Sequence, residues 1–238
     1  MTYRCIAVDL PGYGLSGLRT YRPTTDQLSF YADNLLAFVQ QRDLRNVVLI
    51  GHSMGGQVAM VAALKQPQAF SQLVLINPAG LETFTEQEGN LLTRYAVPEF
   101  FQQQTEAAIR EGYARNFTSL PTDAETLIQD RLRLRDCPGF ADYCRTVAQG
   151  VRGMLAHPVR TQLRQIQRPT LILFGEDDKL IPNRLLHPTL TTHAVANIGD
   201  TDIPDSRLLM IPRAGHMVMY EQAGAVNRAI RAFVREAN

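Results

Sequence analysis

The feature that most constrains this chain is a sharp turn between an apolar segment and an alanine-rich one. Residues 47–50 predict a buried strand, and residues 57–65 predict a helix. The turn between them begins Gly51-His52-Ser53-Met54-Gly55, and Gly51 and Gly55 are expected to leave room around the serine. A serine hydroxyl is a weak nucleophile, and a strained strand-to-helix turn with small flanking residues exposes it to a base. This context predicts that Ser53 is a nucleophile and that the backbone N–H of Met54 stabilises a developing oxyanion.

Further along the chain, acidic residues and a histidine follow two other predicted strands. The group Glu176, Asp177 and Asp178 comes after an apolar segment at 170–174, and His216 comes after one at 207–211. Nucleophile, acid and base in this order are typical of a strand–turn–helix serine site. The residues alone leave the three acids as alternatives. The other histidines do not follow a strand in this order and are expected to be surface or packing residues; they are His52, His157, His187 and His193.

Apolar segments alternate with helical patterns along most of the chain, which predicts an α/β fold with a mostly parallel sheet. Strands are predicted at residues 5–10, 46–50, 73–77, 170–174 and 207–211. The helix that connects the first two is expected to begin behind Thr25 or Asp26 as an N-cap.

Strand signals stop between residues 81 and 165, where helical patterns predict a lid inserted into a core formed by residues 1–80 and 166–238. Thr122 and Glu125 have the spacing of a capping box. Aromatic residues of the lid are candidates to line a partly apolar substrate site; they are Phe84, Tyr95, Phe100, Phe101 and Tyr113.

A Gly-x-Gly-x-x-Gly pattern at Gly12, Gly14 and Gly17 could indicate a dinucleotide site. Such a site needs a helix that opens on the glycines, so that its N-terminus meets the pyrophosphate. Pro23 and its polar surroundings delay the next helix, and we therefore do not interpret the glycines as a nucleotide fingerprint.

Composition excludes several classes of protein. The charged residues nearly balance, at 24 basic and 23 acidic, and arginines are scattered among acids, which argues against a nucleic-acid surface. Three cysteines are too few for a disulfide framework and lack a zinc pattern. The sequence contains neither a transmembrane-length apolar stretch nor a signal peptide. We expect a cytoplasmic protein that acts on a small molecule without a cofactor, metal or membrane.

Taken together, these motifs resemble the α/β-hydrolase superfamily, in particular its lid-bearing serine esterases and carbon–carbon hydrolases. Asp9 to Ser16 resembles the loop after that family's fourth strand, which accounts for Gly12 and Gly14 without a nucleotide. The resemblance implies that Ser53 is the nucleophile and His216 the base. The family's Gly-x-x-Asp pattern implies that Asp178 is the acid. His52, Tyr95, Phe100 and Phe101 are candidate substrate-binding residues.

The N-terminal part departs from that family, which has three more strands and a His-Gly loop before this point. The sequence is therefore expected to be N-terminally truncated, with the second oxyanion donor missing. The family's third strand lies between its fourth and fifth, so residues 5–10 and 46–50 would lack their shared neighbour.

The expected activity is hydrolysis of a carboxylic ester, thioester or lactone through an acyl-enzyme. One alternative is a hydrolase that breaks a carbon–carbon bond of diketones with the same three residues. Another is a non-catalytic protein that binds a ligand under the lid. Hydrolases of this superfamily with an aspartate nucleophile are disfavoured because this chain has Ser53.

Overall fold

The computed structural model describes residues 3–16 and 26–236. Gly17 of the glycine pattern, Pro23 and the predicted N-cap Thr25 lie outside these residues. The other predicted N-cap, Asp26, is confirmed, because its Oδ1 accepts a hydrogen bond from the backbone N–H of Ser29 at 3.1 Å.

Four parallel strands form the sheet, in the spatial order β1-β2-β3-β4. They are β1 Val48–His52, β2 Gln72–Ile76, β3 Thr170–Gly175 and β4 Ser206–Ile211. Every residue of β2 and β3 is buried, as expected for central strands covered on both faces. The predicted parallel sheet is confirmed, and the carboxyl ends of all four strands meet at one edge of the sheet.

The strand predicted at residues 5–10 is wrong. These residues form no regular structure, and residues 5–9 are exposed. Within the described ranges the outer edge of β1 is not paired with any strand either, and Ile50 is 50% exposed. An apolar segment becomes a strand only where a neighbour accepts and donates backbone hydrogen bonds, and no described strand lies beside residues 5–10.

Helices cover both faces of the sheet. They are α1 Gln27–Gln41, α2 Met54–Lys65, α8 Thr192–Asp202, α9 Val218–Glu221 and α10 Ala223–Glu236. Side chains of β2 alternate between the faces: Leu73 and Leu75 pack in a core with α1, α2 and α8, whereas Val74 and Ile76 pack with α9 and α10. Packing in these two cores, one on each face of the sheet, holds the strand ends in a fixed direction.

A helical insertion, which we define as residues 81–165, separates β2 from β3. Its helices are α3 Glu86–Tyr95, α4 Pro98–Gln102, α5 Glu106–Ala114, α6 Glu125–Arg133 and α7 Phe140–Ala156. The capping box predicted at Thr122 and Glu125 is wrong, because a 3-10 turn over 122–124 runs directly into α6 and places Ala124 at the N-cap. A capping box joins Thr85 and Glu88 at α3 instead. None of the described helices is long and apolar enough to cross a bilayer.

Candidate active site

Ser53 occupies the turn between β1 and α2 in a strained backbone conformation. Its φ is 53° and its ψ is −121°, values that cost a non-glycine residue on the order of 1–3 kcal/mol. The surrounding chain holds this conformation: the N–H of Ser53 donates to the carbonyl of Ile76 at 3.0 Å, and the carbonyl of Ser53 accepts from Gly56 and Ala79. These hydrogen bonds fix the turn against the end of β2 and the first turn of α2.

Of the two glycines predicted to leave room around Ser53, the structure requires only Gly51. A side chain at Gly51 would meet the carbonyl oxygen of Gly55 at 2.3 Å, so a glycine is required there. A side chain at Gly55 would meet nothing within 4 Å, whereas one at Gly56 would lie 2.7 Å from the side chain of Pro78. Gly51 and Gly56, rather than Gly51 and Gly55, allow the close approach of chain segments.

Met54 is the first residue of α2, so its N–H belongs to the helix N-terminus, where donors are left without an intrahelical acceptor. The partial positive charge of such an end favours a developing anion. A side chain at Gly150 of α7 would lie 3.0 Å from the Met54 sulfur and 3.3 Å from the Tyr13 hydroxyl. The insertion therefore packs directly over the start of α2.

Asp178 follows β3 and is the acid that the fold brings to His216. One carboxylate oxygen, Oδ2, accepts from Nδ1 of His216 at 2.8 Å and from Nδ2 of Asn77 at 2.7 Å. The other, Oδ1, accepts from the backbone N–H groups of Leu180 at 2.7 Å and Ile181 at 3.1 Å. Glu176 and Asp177, the alternatives left open by the sequence, are exposed.

Burial and three of these hydrogen bonds have opposite effects on the protonation of Asp178. Burial, the largest single influence, acts to raise the pKa of its carboxyl. The hydrogen bond and charge of His216, with the donors Asn77 and Leu180, outweigh burial and hold the pKa below its ordinary value. Asp178 is therefore a carboxylate at neutral pH.

His216 is almost fully buried, with 4% of its side chain exposed. Because Asp178 is a carboxylate and only accepts, Nδ1 of His216 carries a proton and Nε2 is left for other chemistry. The loop of His216 lies tightly against the end of β3, where a side chain at Gly175 would come within 2.2 Å of the Gly215 carbonyl oxygen. This close crossing keeps the acid and the histidine together.

His52 precedes Ser53 in the chain and contacts His216. Its Nε2–H donates to the main-chain carbonyl of His216 at 2.9 Å, and the two rings are 4.7 Å apart. Burial, with the nearby charge of His216 as the second cause, lowers the pKa of His52 to about 4. His52 is thus neutral at pH 7, and the contact that the structure gives it is with the loop of His216.

Asn77 was missed as a candidate, although it follows β2 directly. Its Nδ2 donates to Asp178, and its Oδ1 accepts from the backbone N–H of Gly175 at 3.3 Å. The sequence contains a signal that could have identified it. Asn77 is a polar residue at the end of β2, and β2 lies next to β3, the strand that precedes Asp178.

Residues 116–118, here called the junction segment, link the insertion to the loops of both Asp178 and His216. The Lys179 ammonium donates to the carbonyls of Phe117 at 2.8 Å and Thr118 at 3.1 Å. Glu221 accepts from the backbone N–H groups of Thr118 at 2.8 Å and Gly215 at 2.6 Å. The insertion is therefore attached beside the candidate catalytic residues.

A cavity of about 320 Å³ lies in the insertion and extends to Met217, the residue after His216. Its walls come mainly from α5, α6 and the junction segment, and include Ile109, Tyr113, Asn116, Phe117, Leu127 and Arg131. The cavity is part apolar and part polar. Of the predicted lid residues, Tyr113 lines it.

The other aromatic candidates of the insertion lie elsewhere. Tyr95 and Phe100 are 63% and 48% exposed. Phe101 packs edge-on against Phe100. Phe84 stacks on His187 at 5.3 Å.

His187, expected to be a surface or packing residue, lies between two carboxylates of the insertion. Its Nδ1 is 2.5 Å from Oε1 of Glu82, and its Nε2 is 3.3 Å from Oε1 of Glu88. The hydrogen bond to Glu82, and then the charges of both glutamates, raise the pKa of His187 against the opposing effect of burial. This ion pair fastens the first part of the insertion to the segment after Asp178.

The raised pKa of His187 predicts a pH-dependent stability. A raised pKa in the folded state adds stability below the ordinary histidine pKa, and this stability is lost as pH rises through the folded-state value. We expect the unfolding free energy to fall by about 1 kcal/mol or less over that range. Urea unfolding from pH 5.5 to 8.5 should show a flatter profile in His187→Gln than in the exposed control His193→Gln. Equal profiles in the two variants would contradict the assignment.

With this geometry, comparison with known proteins identifies the class. The chain belongs to the alpha/beta hydrolase family, whose model matches residues 2–229. Among solved structures, a probable hydrolytic enzyme of Pseudomonas aeruginosa superposes with a TM-score of 0.79 at 22% identity, over 94% of this chain and 74% of that one. An esterase of Thermogutta terrifontis gives 0.72 at 26% identity, over 96% and 78%. The fold is that of the α/β hydrolases.

Relatives in sequence have several described activities. An acetyltransferase component of the acetoin cleaving system of Pseudomonas putida is 29% identical over 98% of this chain, which spans only 56% of that protein. An uncharacterised hydrolase of Bacillus subtilis is 26% identical over 98% of this chain and 81% of its own length. A 2-hydroxy-6-oxononadienedioate/2-hydroxy-6-oxononatrienedioate hydrolase of Cupriavidus pinatubonensis is 26% identical over 98% and 76%.

Proposed function

We propose that this protein is a serine hydrolase that cleaves a small, partly apolar ester, thioester or lactone through an acyl-enzyme. The observation that carries the proposal is the buried hydrogen bond between Asp178 and His216, whose ring lies against the residue that precedes Ser53. A serine hydroxyl is activated by a histidine whose tautomer is fixed by a buried carboxylate, and Asp178 and His216 supply such a pair.

In this mechanism Oγ of Ser53 attacks the substrate carbonyl carbon while its proton moves to Nε2 of His216. The carbonyl π electrons move to oxygen, and a tetrahedral oxyanion forms. When it collapses, the bond to the leaving group breaks, and the leaving group takes the proton from His216. A water molecule then repeats the attack, with His216 as base, and releases the acid and free Ser53. Asp178 stays ionised and stabilises the imidazolium formed in both halves.

The Met54 N–H is our candidate for stabilising the oxyanion. Its place at the first residue of α2 supports this role. Both the N–H donor and the helix N-terminus direct partial positive charge towards the turn, and an oxyanion requires this sign. One such donor typically contributes about 100- to 1,000-fold to turnover.

We further propose that the insertion acts as a lid and that its cavity holds the substrate. The cavity extends to Met217 next to His216, and α7 packs over Met54, so the insertion faces both sides of the proposed reaction centre. The side chains of Ile109, Phe117 and Leu127 support a partly apolar substrate.

The second candidate is hydrolysis of a carbon–carbon bond in a diketone by the same residues. It is favoured by the similarity to the Cupriavidus hydrolase, whose name describes action on 2-hydroxy-6-oxo dioates. Loss of the absorbance of a coloured vinylogous diketone, faster than loss of any tested ester, would favour this candidate.

Acylation kinetics test the first proposal. Mixing the protein with a 4-nitrophenyl ester should give a burst of 4-nitrophenol followed by steady turnover, and a fluorophosphonate should label Ser53 in a peptide mass map. Thermal stabilisation by esters, with neither turnover nor a label at Ser53, would contradict the proposal and indicate a ligand-binding protein.

A further inference from the structure

His52 connects the turn of Ser53 to the loop of His216. It is the last residue of β1 and is paired in register with Ile76 of β2, so the sheet holds its backbone directly before Ser53. Its Nε2–H donates to the main-chain carbonyl of His216 at 2.9 Å, across 164 positions of the chain. Because a carbonyl oxygen only accepts, the proton of the neutral ring is on Nε2. This bond joins the chain segments of the proposed nucleophile and the proposed base.

Two other backbone hydrogen bonds attach the same loop to different parts of the chain. The N–H of Gly215 donates to Oε2 of Glu221 in α9 at 2.6 Å. The N–H of Met217 donates to the carbonyl of Asn116 in the junction segment at 3.0 Å. Neither acceptor belongs to the turn between β1 and α2. The bond from His52 therefore adds what these two do not supply, a direct attachment of the loop to the nucleophile turn.

The two imidazole rings are also in contact with each other. Their centres are 4.7 Å apart, and their planes are tilted by 53°, an arrangement that is favourable between aromatic rings. The Asp178 carboxylate binds the ring of His216 at Nδ1, and the side chain of His216 is almost fully buried. The base is thus restrained by a hydrogen bond at one ring nitrogen and by the ring of His52.

The charge state of His52 suits this position. Burial and then the charge of His216 lower the pKa of His52 to about 4, against the opposing effects of its own hydrogen bond and of Asp178. A neutral ring does not repel the positive charge that His216 gains when it accepts a proton. A cation at the same distance would make His216 a weaker base. His52 can therefore hold the loop of His216 without opposing the chemistry proposed for it.

We propose that His52 is a positioning residue, which sets the distance between Ser53 and His216 through its bond to the main-chain carbonyl of His216. The inference rests on the proposed hydrolase function and adds a residue that acts through the base. It replaces the substrate-binding role expected for His52 from the sequence, because the ring is engaged by a contact within the protein. The distance is important because nucleophile and base must lie within hydrogen-bond reach, and a displacement of about 1 Å can cost about 100-fold in rate.

Glutamine and asparagine in place of His52 distinguish the hydrogen bond from general polarity. The amide nitrogen of glutamine is as many bonds from Cβ as Nε2 of histidine, whereas that of asparagine corresponds to Nδ1. His52→Gln should therefore keep a donor at the His216 carbonyl, and His52→Asn should lose it. His52→Phe keeps a ring but has no donor. His193→Phe is the matched control, because it makes the same change at an exposed histidine.

Steady-state kinetics with a 4-nitrophenyl ester, measured well below the Tm of each variant, give the first test. We expect kcat to fall by about 10- to 100-fold in His52→Asn and His52→Phe, and by less than about threefold in His52→Gln and His193→Phe. KM should change little, since the side chains that line the cavity are unaltered. A raised KM at constant kcat would indicate substrate binding by His52 and overturn the proposal. A kcat as low in His52→Gln as in His52→Asn would also overturn it.

A spectroscopic measurement separates the inference from the hydrolase function. The proton between Nδ1 of His216 and Asp178 should give a far-downfield proton resonance, identified by its absence in His216→Gln. We expect this proton to exchange with water about 10-fold faster in His52→Asn and His52→Phe than in wild type and His52→Gln, because the loop is held by one bond fewer. This result would support the positioning role even if no tested ester is turned over. Equal exchange in the four proteins would overturn the positioning role and leave the hydrolase function standing.

Discussion

Replacing Ser53 with alanine is expected to lower kcat for 4-nitrophenyl ester hydrolysis by about 10⁴- to 10⁶-fold, because no other group can form the acyl-enzyme. Loss of the oxygen leaves Asp178 and His216 in place, and their hydrogen bond does not involve the side chain of residue 53. The residual rate would come from binding and from the oxyanion donor alone. Single-turnover and steady-state measurements with one protein preparation would give the ratio directly.

Ser53→Gly is the matched control for the fold. Glycine adopts the φ of 53° without steric cost, so this variant should be as inactive as Ser53→Ala but more resistant to urea. Retention of activity within tenfold of wild type in both variants would show that Ser53 is not the nucleophile.

Replacing Asp178 with asparagine is expected to lower kcat by about 10⁴-fold. Asparagine has nearly the same shape, but one side of its amide is an NH₂ group. This group would face hydrogen-bond donors instead of acceptors. The amide either loses the bonds from Leu180 and Ile181 or meets Asn77 and His216 with its NH₂ group. In the second case Nδ1 of His216 becomes an acceptor, and Nε2 carries the proton and can no longer act as a base. We expect an accompanying loss of about 1–3 kcal/mol in stability.

Asp177→Asn is the matched control, since it makes the same chemical change at the exposed neighbour. Its kcat should stay within about threefold of wild type, as is usual for a surface substitution. A larger loss in Asp177→Asn than in Asp178→Asn would identify Asp177 as the acid.

Local signals in the sequence were sufficient for much of this fold. Four strands were recognisable because each is a short apolar run bounded by turn residues. Ser53 could be selected because a strand, a tight turn and a helix follow within a few residues. The residues alone left Glu176, Asp177 and Asp178 equal, and the resemblance to a family pattern favoured the one that the structure places against His216.

Features that depend on distant pairing could not be predicted. Residues 5–10 have the composition of a strand, but a strand also needs a neighbour, which a linear pattern does not specify. Asn77 and His187 gain their importance from partners 101 and 105 positions away. The sequence of α6 contains two arginines, and only the packing shows that Arg131 is buried and Arg133 is exposed.

The junction segment has a consequence for movement. The carbonyls of Phe117 and Thr118 are bound by Lys179 next to Asp178, and the N–H of Thr118 shares Glu221 with Gly215. An opening of the proposed lid that preserves these bonds is a rotation about a pivot located at the loops of Asp178 and His216. Substrate could then enter or leave while the distance between Asp178 and His216 stays constant. Movement of the proposed lid would therefore leave the geometry of the acid and the histidine unchanged.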